Sequence, residues 1–263
     1  MNCRVVATYF GPRRSHGGSN TNSLTGEDAI RLLTELIEYE TTISSGVKKD
    51  TIIVNHDFGH ERGRQFLEEI NNTPTLDGKI ITINRDWNNG IGESYGSFDY
   101  AFKMFKDKYD YWFFSEDDYH LVESNYFSSM ITQLDQDKDV AFIGGCRYDQ
   151  ELDGYFIKST SNGHDPHVHG GLGCTHKKYL QKVVKTLGYL PHPQMPMTDE
   201  MQQCIREARL DAFDSKYATD WYRNNELNGE VMFTNIYCKL GYKLQVTNHP
   251  NPCVLDVRGN KLT

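Results

Sequence analysis

Three consecutive carboxylates, Glu116, Asp117 and Asp118, directly follow the apolar run Trp-Phe-Phe-Ser at residues 112–115. Like charges set this close repel one another. At the end of a strand their most economical use is to hold a hard divalent cation, Mn²⁺ or Mg²⁺, which prefers carboxylate oxygen and keeps positions for water and phosphate oxygens. An exposed acidic turn has the same composition, and both readings stand at this point. A second group, His164, His167 and His169 in HDPHVHGG, has no cysteines nearby, so its spacing fits loop hydrogen bonding better than a zinc site. Of the aromatics able to stack on a sugar face, Tyr111 and Trp112 read as strand core. Trp221 and Tyr222, in the polar run TDWYRNNELNGE, read as contacts to a ligand. Asn89, Gly90 and Gly92 do not complete a GxGxxG fingerprint after the first strand, and no GxxxxGK[ST] occurs. A bound phosphate would therefore fall to a metal and to backbone N–H groups.

The elements that must position these residues alternate in type. Residues 4–10 (RVVATYF) read as the first strand, ended by a long, mobile Gly-, Pro- and Ser-rich loop over 11–26. Helical spacing follows over 25–40, with Glu27 and Asp28 in its first turn, then a strand at 51–55, a helix from about 60 to 70 and a strand at 79–84. A helix over 93–106 precedes the strand at 109–115 that delivers the carboxylates. Downstream, strands are expected at 140–145 and 243–247, and helices at 177–187, 200–210 and 229–240. This alternation predicts one α/β domain with a doubly wound, mostly parallel sheet flanked by helices. Ligands of such sheets bind at the carboxyl ends of the strands.

A chain of 263 residues with 38% hydrophobic content can bury a large core, and its formal net charge of −8 disfavours nucleic acid as a partner. Six scattered cysteines without a CxxC pair suit reduced, packed thiols and a cytoplasmic setting. No run approaches the roughly 20 apolar residues of a membrane span, and a transmembrane segment is not expected.

The order of motifs resembles the GT-A glycosyltransferases, glycosyltransferase family 2 above all, over residues 4 to about 245. VVATYF is similar to the family's first strand, IIVNHD to its second, NRDWNNGIGESYGSFDYAF to its Asn-Gly segment entering a helix, and WFFSEDDY to the strand carrying the DXD metal motif, here in a Glu-Asp-Asp form. HGGLGCTHKKYLQKV is similar to the acceptor-side strand and helix, and NGEVMFTNIYCKLGYKLQ to the catalytic helix ending in Gly-Tyr-Lys. Three departures stand out: Gly229 replaces the family's usual Glu, Glu230 replaces its Asp, and the Arg-x-x-Asn after the Asn-Gly segment is missing.

The resemblance implies a GT-A fold with a nucleotide-sugar-binding half at 1–125 and an acceptor-binding half at 126–263. It implies Mn²⁺ or Mg²⁺ held by Glu116, Asp118 and a late histidine, His249, with Asp118 the most direct ligand. Thr8 and Tyr9 would fix the nucleoside, Asn55 or Asp57 would reach the base or ribose, and Asn89, Gly90 and Asp117 would complete the donor site. His169, Gly170, Gly171, Trp221 and Tyr222 would meet the acceptor, and Glu230 would be the base of an inverting transfer from a UDP- or GDP-sugar to a hydroxyl of a carbohydrate or other acceptor. Two rivals share the fold: a sugar-phosphate nucleotidyltransferase, for which GPRRSHGG is an imperfect Gly-rich loop, and a catalytically silent carbohydrate-binding domain.

Overall fold

The structure, a computed structural model, describes residues 1–11, 13–14, 23–56, 59–85, 94–144, 168, 171–192, 232–248, 254–255 and 261–262. Its centre is a seven-stranded sheet. The strands are β1 (Asn2–Thr8), β4 (Lys49–His56), β5 (Ile80–Arg85), β6 (Tyr111–Glu116), β8 (Val140–Gly144), β9 (Leu172–His176) and β10 (Lys243–Val246), in the spatial order β10-β8-β9-β6-β1-β4-β5. Only β9 runs against its neighbours; β6–β1, β1–β4, β4–β5 and β8–β10 are parallel pairs. β9 can lie so close to β8 because Gly173 has no side chain: a Cβ there would stand 2.3 Å from the Phe142 ring and 2.7 Å from the Ile143 carbonyl oxygen.

The crossover helices are α1 (Gly26–Thr42), α2 (Glu61–Ile70), α3 (Ser94–Phe105), α4 (Tyr126–Gln136), α5 (Lys177–Leu187) and α6 (Met232–Lys239). α1 begins with a reciprocal cap in which the Thr25 hydroxyl accepts from Asp28 N–H and the Asp28 carboxylate accepts from Thr25 N–H. Such a box satisfies donors that the first helical turn leaves open. α5 ends at Gly188, whose φ of 85° is the left-handed conformation that glycine adopts without a steric penalty. The anionic first turn and the 177–187 helix match the sequence expectation, and strand limits move by one to two residues.

Three points differ from the sequence reading. α4 was not foreseen. Its apolar residues, Tyr126, Phe127, Met130 and Leu134, are buried against Phe113, Val140 and Ile143 of the sheet, and tertiary packing stabilises a segment whose serines, threonine and aromatic residues give weak helix propensity. The stretch over 11–26 is not wholly irregular, because β2 (Arg13–Arg14) and β3 (Ser23–Leu24) pair antiparallel. A small second sheet, also unforeseen, joins β7 (His120–Leu121), β11 (Val254–Leu255) and β12 (Lys261–Leu262). Two-residue strands are too short for period-2 alternation to register. The expected helix at 200–210 lies outside the described residues.

The two faces of the sheet are filled differently. Cys3, Val5 and Ala7 of β1 and Trp112 and Phe114 of β6 point into an aromatic core with Phe98 and Phe102 of α3 and Phe233 and Tyr237 of α6. The other face packs Val6 and Ile53 against Ala29, Leu33 and Leu36 of α1. Buried Cys3 and Cys174 fit the expectation of packed thiols, and burial raises both well above the ordinary thiol value. Among the described residues no helix is long and apolar enough to cross a membrane.

Candidate functional site

β6 delivers Glu116 to the carboxyl end of the sheet beside β1, with Ala7 opposite Glu116 in the parallel ladder. The chain then turns: Asp117 N–H donates to the Ala7 carbonyl at 3.1 Å and Tyr119 N–H to the Glu116 carbonyl at 3.3 Å. Alternation of side chains along the strand separates neighbours. Glu116 faces α3, where it accepts a hydrogen bond from the Ser94 hydroxyl. Asp117 faces the other way and accepts from the Thr8 hydroxyl at 2.6 Å. Asp117 is fully buried and Asp118 is 6% exposed, so the run is not the solvated acidic turn that composition left open. Burying ionised carboxylates is costly unless donors or cations compensate.

The remaining donor-side residues fall where the parallel strands end. Thr8 closes β1 and is buried, and Asn55, one residue before the end of β4, is also buried. Asn55 Nδ2 donates to Asn84 Oδ1 at 3.0 Å. Tyr9 turns its ring back over Gly11, where a Cβ would stand 2.3 Å from the phenol, and meets the His56 ring edge-on at 6.1 Å. Burial raises the Tyr9 phenol above its usual value. Thr8, Tyr9, Asn55, Glu116, Asp117 and Asp118 therefore share one rim. Asp57, Asn89 and Gly90 lie outside the described residues.

On the acceptor side, Ser115 pairs with Leu172, so the buried Gly171 enters β9 next to the carboxylate end of β6. Val168 is tied to α6 in both directions, its N–H donating to Thr234 Oγ1 at 3.1 Å and its carbonyl accepting from the same hydroxyl at 3.0 Å. α6 begins at Met232, and its Phe233 ring lies 5.2 Å from Phe114, two residues before Glu116. His169, Gly170, Trp221, Tyr222 and Glu230 lie outside the described residues, as does His249. The described residues on either side of His249 are anchored: Asn248 N–H donates to Gln133 Oε1 of α4 at 2.8 Å, and Val254 of β11 pairs with Leu121, three residues beyond Asp118.

The donor set suits Mn²⁺ or Mg²⁺ in its chemistry. Adjacent carboxylates at a strand end offer hard oxygen ligands and leave room for water and phosphate oxygens, as these ions require. No ready-made cage of three or more His, Cys, Asp or Glu side chains is gathered among the described residues.

Sequence reading missed four side chains that shape this rim: Arg4, Ser94, His56 and Ser97. The His56 ring, 3% exposed, packs with Nδ1 3.3 Å from the Ser97 hydroxyl. Arg4, 1% exposed, reaches both sides of the acidic turn. Arg4 had a signal in the sequence, a cation heading the strand-like run RVVATYF. Ser94 and His56 had none beyond their places at a helix start and a strand end.

No protein-family model and no curated protein sequence matches the chain. Among solved structures it is similar to a mannosyltransferase from Pyrobaculum calidifontis in complex with GDP-Man and Mn²⁺, at 14% identity and a TM-score of 0.47, covering 79% of this chain and 52% of that one. It is also similar to a CMP:2-keto-3-deoxy-manno-octonic acid synthetase complexed with CTP, at 11% identity and a TM-score of 0.48, covering 94% and 89%. The galactosyltransferase LgtC, in complex with donor and acceptor sugar analogs, aligns at 11% identity and a TM-score of 0.43 over 94% and 73%. The chain thus spans about half the length of the mannosyltransferase. These are likenesses of backbone layout, and the reading of the site rests on its own residues.

Proposed function

We propose that the chain is a divalent-metal-dependent glycosyltransferase that moves a sugar from a nucleoside diphosphate sugar, UDP- or GDP-linked, to a hydroxyl acceptor with inversion. One observation carries this reading: a buried carboxylate pair, Asp117 and Asp118, with Glu116 beside it, at the carboxyl end of the central parallel strands, where such sheets bind ligands. In this reading Glu116, Asp118 and His249 hold Mn²⁺ or Mg²⁺. The ion supplies Lewis-acid neutralisation of the diphosphate leaving group. Asp117, which accepts from Thr8, completes the donor site with Thr8, Tyr9, Asn55, Asp57, Asn89 and Gly90, which bind the nucleoside and its phosphates. His169, Gly170, Gly171, Trp221 and Tyr222 place the acceptor. Its hydroxyl oxygen bonds to the anomeric carbon as the bond to the diphosphate breaks, and Glu230 takes the hydroxyl proton. The two halves of the chain, 1–125 and 126–263, divide these donor and acceptor tasks. A cytoplasmic setting belongs to the same reading, on the support of the buried thiols Cys3 and Cys174.

Thermal unfolding with UDP, GDP, CMP and TDP, each with and without Mn²⁺, tests the proposal, since a ligand of the folded state raises apparent stability. One nucleoside diphosphate should stabilise the parent only when Mn²⁺ is present, and Asp118→Asn should weaken that binding by about tenfold or more, ~1.4 kcal/mol. Equal binding by Asp118→Asn, or binding indifferent to EDTA, rejects the metal site. Glu230→Gln should cut turnover on the order of a hundredfold with donor binding intact; near-parental turnover removes Glu230 from the mechanism. Pyrophosphate released from a nucleoside triphosphate identifies a nucleotidyltransferase instead, and sugar binding without hydrolysis or transfer identifies a silent carbohydrate-binding domain.

A further inference from the structure

Arg4 is a cation in the middle of the most buried part of the sheet. Its guanidinium donates from Nε to Ser115 Oγ at 2.9 Å, from one terminal nitrogen to Glu40 Oε1 of α1 at 2.9 Å, and from the other to the Tyr119 carbonyl at 2.9 Å. Glu40 is shared with a second buried cation, Lys49 of β4, which also donates to Thr51 Oγ1 at 3.0 Å, and the Thr51 hydroxyl returns to Glu40 Oε2 at 2.9 Å. Burial alone would raise the Glu40 carboxyl, but Lys49 and Arg4 outweigh it and hold the group down at about 2. Two cations thus share one carboxylate in this trio.

We infer that Arg4, held by Glu40 and Lys49, is a positioning residue for the acidic turn: it clamps the chain on both sides of Glu116–Asp118 and sets where the metal-holding carboxylates stand. The inference rests on the metal-site reading above. The β1–β6 ladder ends at the pair Ala7–Glu116. Beyond it, the contacts that hold the turn include two backbone bonds, Thr8 on Asp117, and Arg4. A guanidinium is a rigid planar fork, so donating to Ser115 before the turn and to Tyr119 after it fixes the spacing of the two ends. Holding α1 on the sheet does not need this network, because Ala29, Leu33 and Leu36 already pack on Val6 and Ile53. Apolar groups in place of a buried ion trio would do that work without its desolvation cost.

Mn²⁺ affinity, read from the electron paramagnetic resonance of free Mn²⁺ in the presence of the nucleoside diphosphate that the parent binds, tests the inference, with circular dichroism melts in parallel. Ser115→Ala removes one clamp contact and should raise the Mn²⁺ Kd about threefold, with a melt close to that of the parent. Arg4→Met should raise it about tenfold or more and alter the spectrum of bound Mn²⁺. Arg4→Lys keeps the charge but not the fork and should fall between the two. Parental Kd and bound spectrum in folded Arg4→Met and Ser115→Ala overturn the clamp, even where the melts show destabilisation. Where Arg4→Met fails to fold, Ser115→Ala decides by the same criterion. A parent that binds no Mn²⁺ sinks the metal reading and the clamp together, whereas a parent that binds it while the variants match overturns the clamp alone.

Discussion

The two faces of β1 and β6 carry opposite chemistries within one strand thickness. Toward α3 and α6 the sheet presents Val5, Trp112 and Phe114 to an aromatic cluster in which Phe98 lies 4.8 Å and Phe233 5.2 Å from Phe114. Toward α1 the same strands present Arg4, hydrogen-bonded to Ser115, to the Glu40–Lys49 pair. The aromatic face gains stability from apolar area removed from water, which is non-directional and tolerates small shifts. The ionic face gains less net stability, since desolvation offsets Coulomb attraction, but its bonds fix positions to a fraction of an ångström. The difference teaches that the aromatic face serves stability alone, while the opposite face, where apolar residues also pack α1, carries in addition the ionic network that places the acidic turn.

The largest expected effect tests the first half of that division. Phe114→Ala, which empties the centre of the aromatic cluster, should cost about 3–5 kcal/mol in urea denaturation, while the Mn²⁺ affinity of the folded fraction stays at the parental value. A loss of affinity beyond the loss of folded protein would break the comparison, because it would make the aromatic face a positioning device as well.

A somewhat smaller effect tests the ionic face. The Glu40 carboxyl is lowered from 4.5 to about 2 on folding. A depressed folded-state value means stability that is fully present above the unfolded-state value and is lost as pH falls through the folded-state value. Glu40 should therefore contribute roughly 3 kcal/mol at neutral pH, declining between about pH 4.5 and 2. Glu40→Gln should lose about that much at pH 7, and its gap from the parent should narrow at pH 4 and again at pH 3 in urea titrations. A gap unchanged from pH 7 to pH 3 would sharpen the comparison against us, removing ionisation of Glu40 as the source of the network's strength.

Much of the frame was legible in the sequence. The carboxylates at the end of an aromatic strand, the alternation of strands and helices, and the helix starting near residue 25 with Glu27 and Asp28 in its first turn were read close to where the structure has them, because each rests on local periodicity or the helix dipole. α4 was not legible, because packing on Phe113 and Ile143 rather than propensity makes it a helix. The grouping of Thr8, Asn55 and Asp117 at one rim had been expected only from a family resemblance, and strand order brings it about. Thr8 and Asp117 are 109 residues apart in the chain yet 2.6 Å apart in space.

What the sequence determined by itself is the inventory and the local geometry: which strand ends in carboxylates, and that a period of two sends Glu116 and Asp117 to opposite faces. What only the tertiary structure decided is their environment. Whether Glu116–Asp118 is a solvated turn or a buried rim, and whether Arg4 in an apolar strand is a misfit or a clamp, depends on the order β9-β6-β1-β4 and on α1 crossing above it. The physical reason is that burial and electrostatic partners are set by contacts between residues far apart in sequence. Arg4 meets Glu40, Ser115 and Tyr119 across separations of 36, 111 and 115 residues, and no local window of sequence contains them.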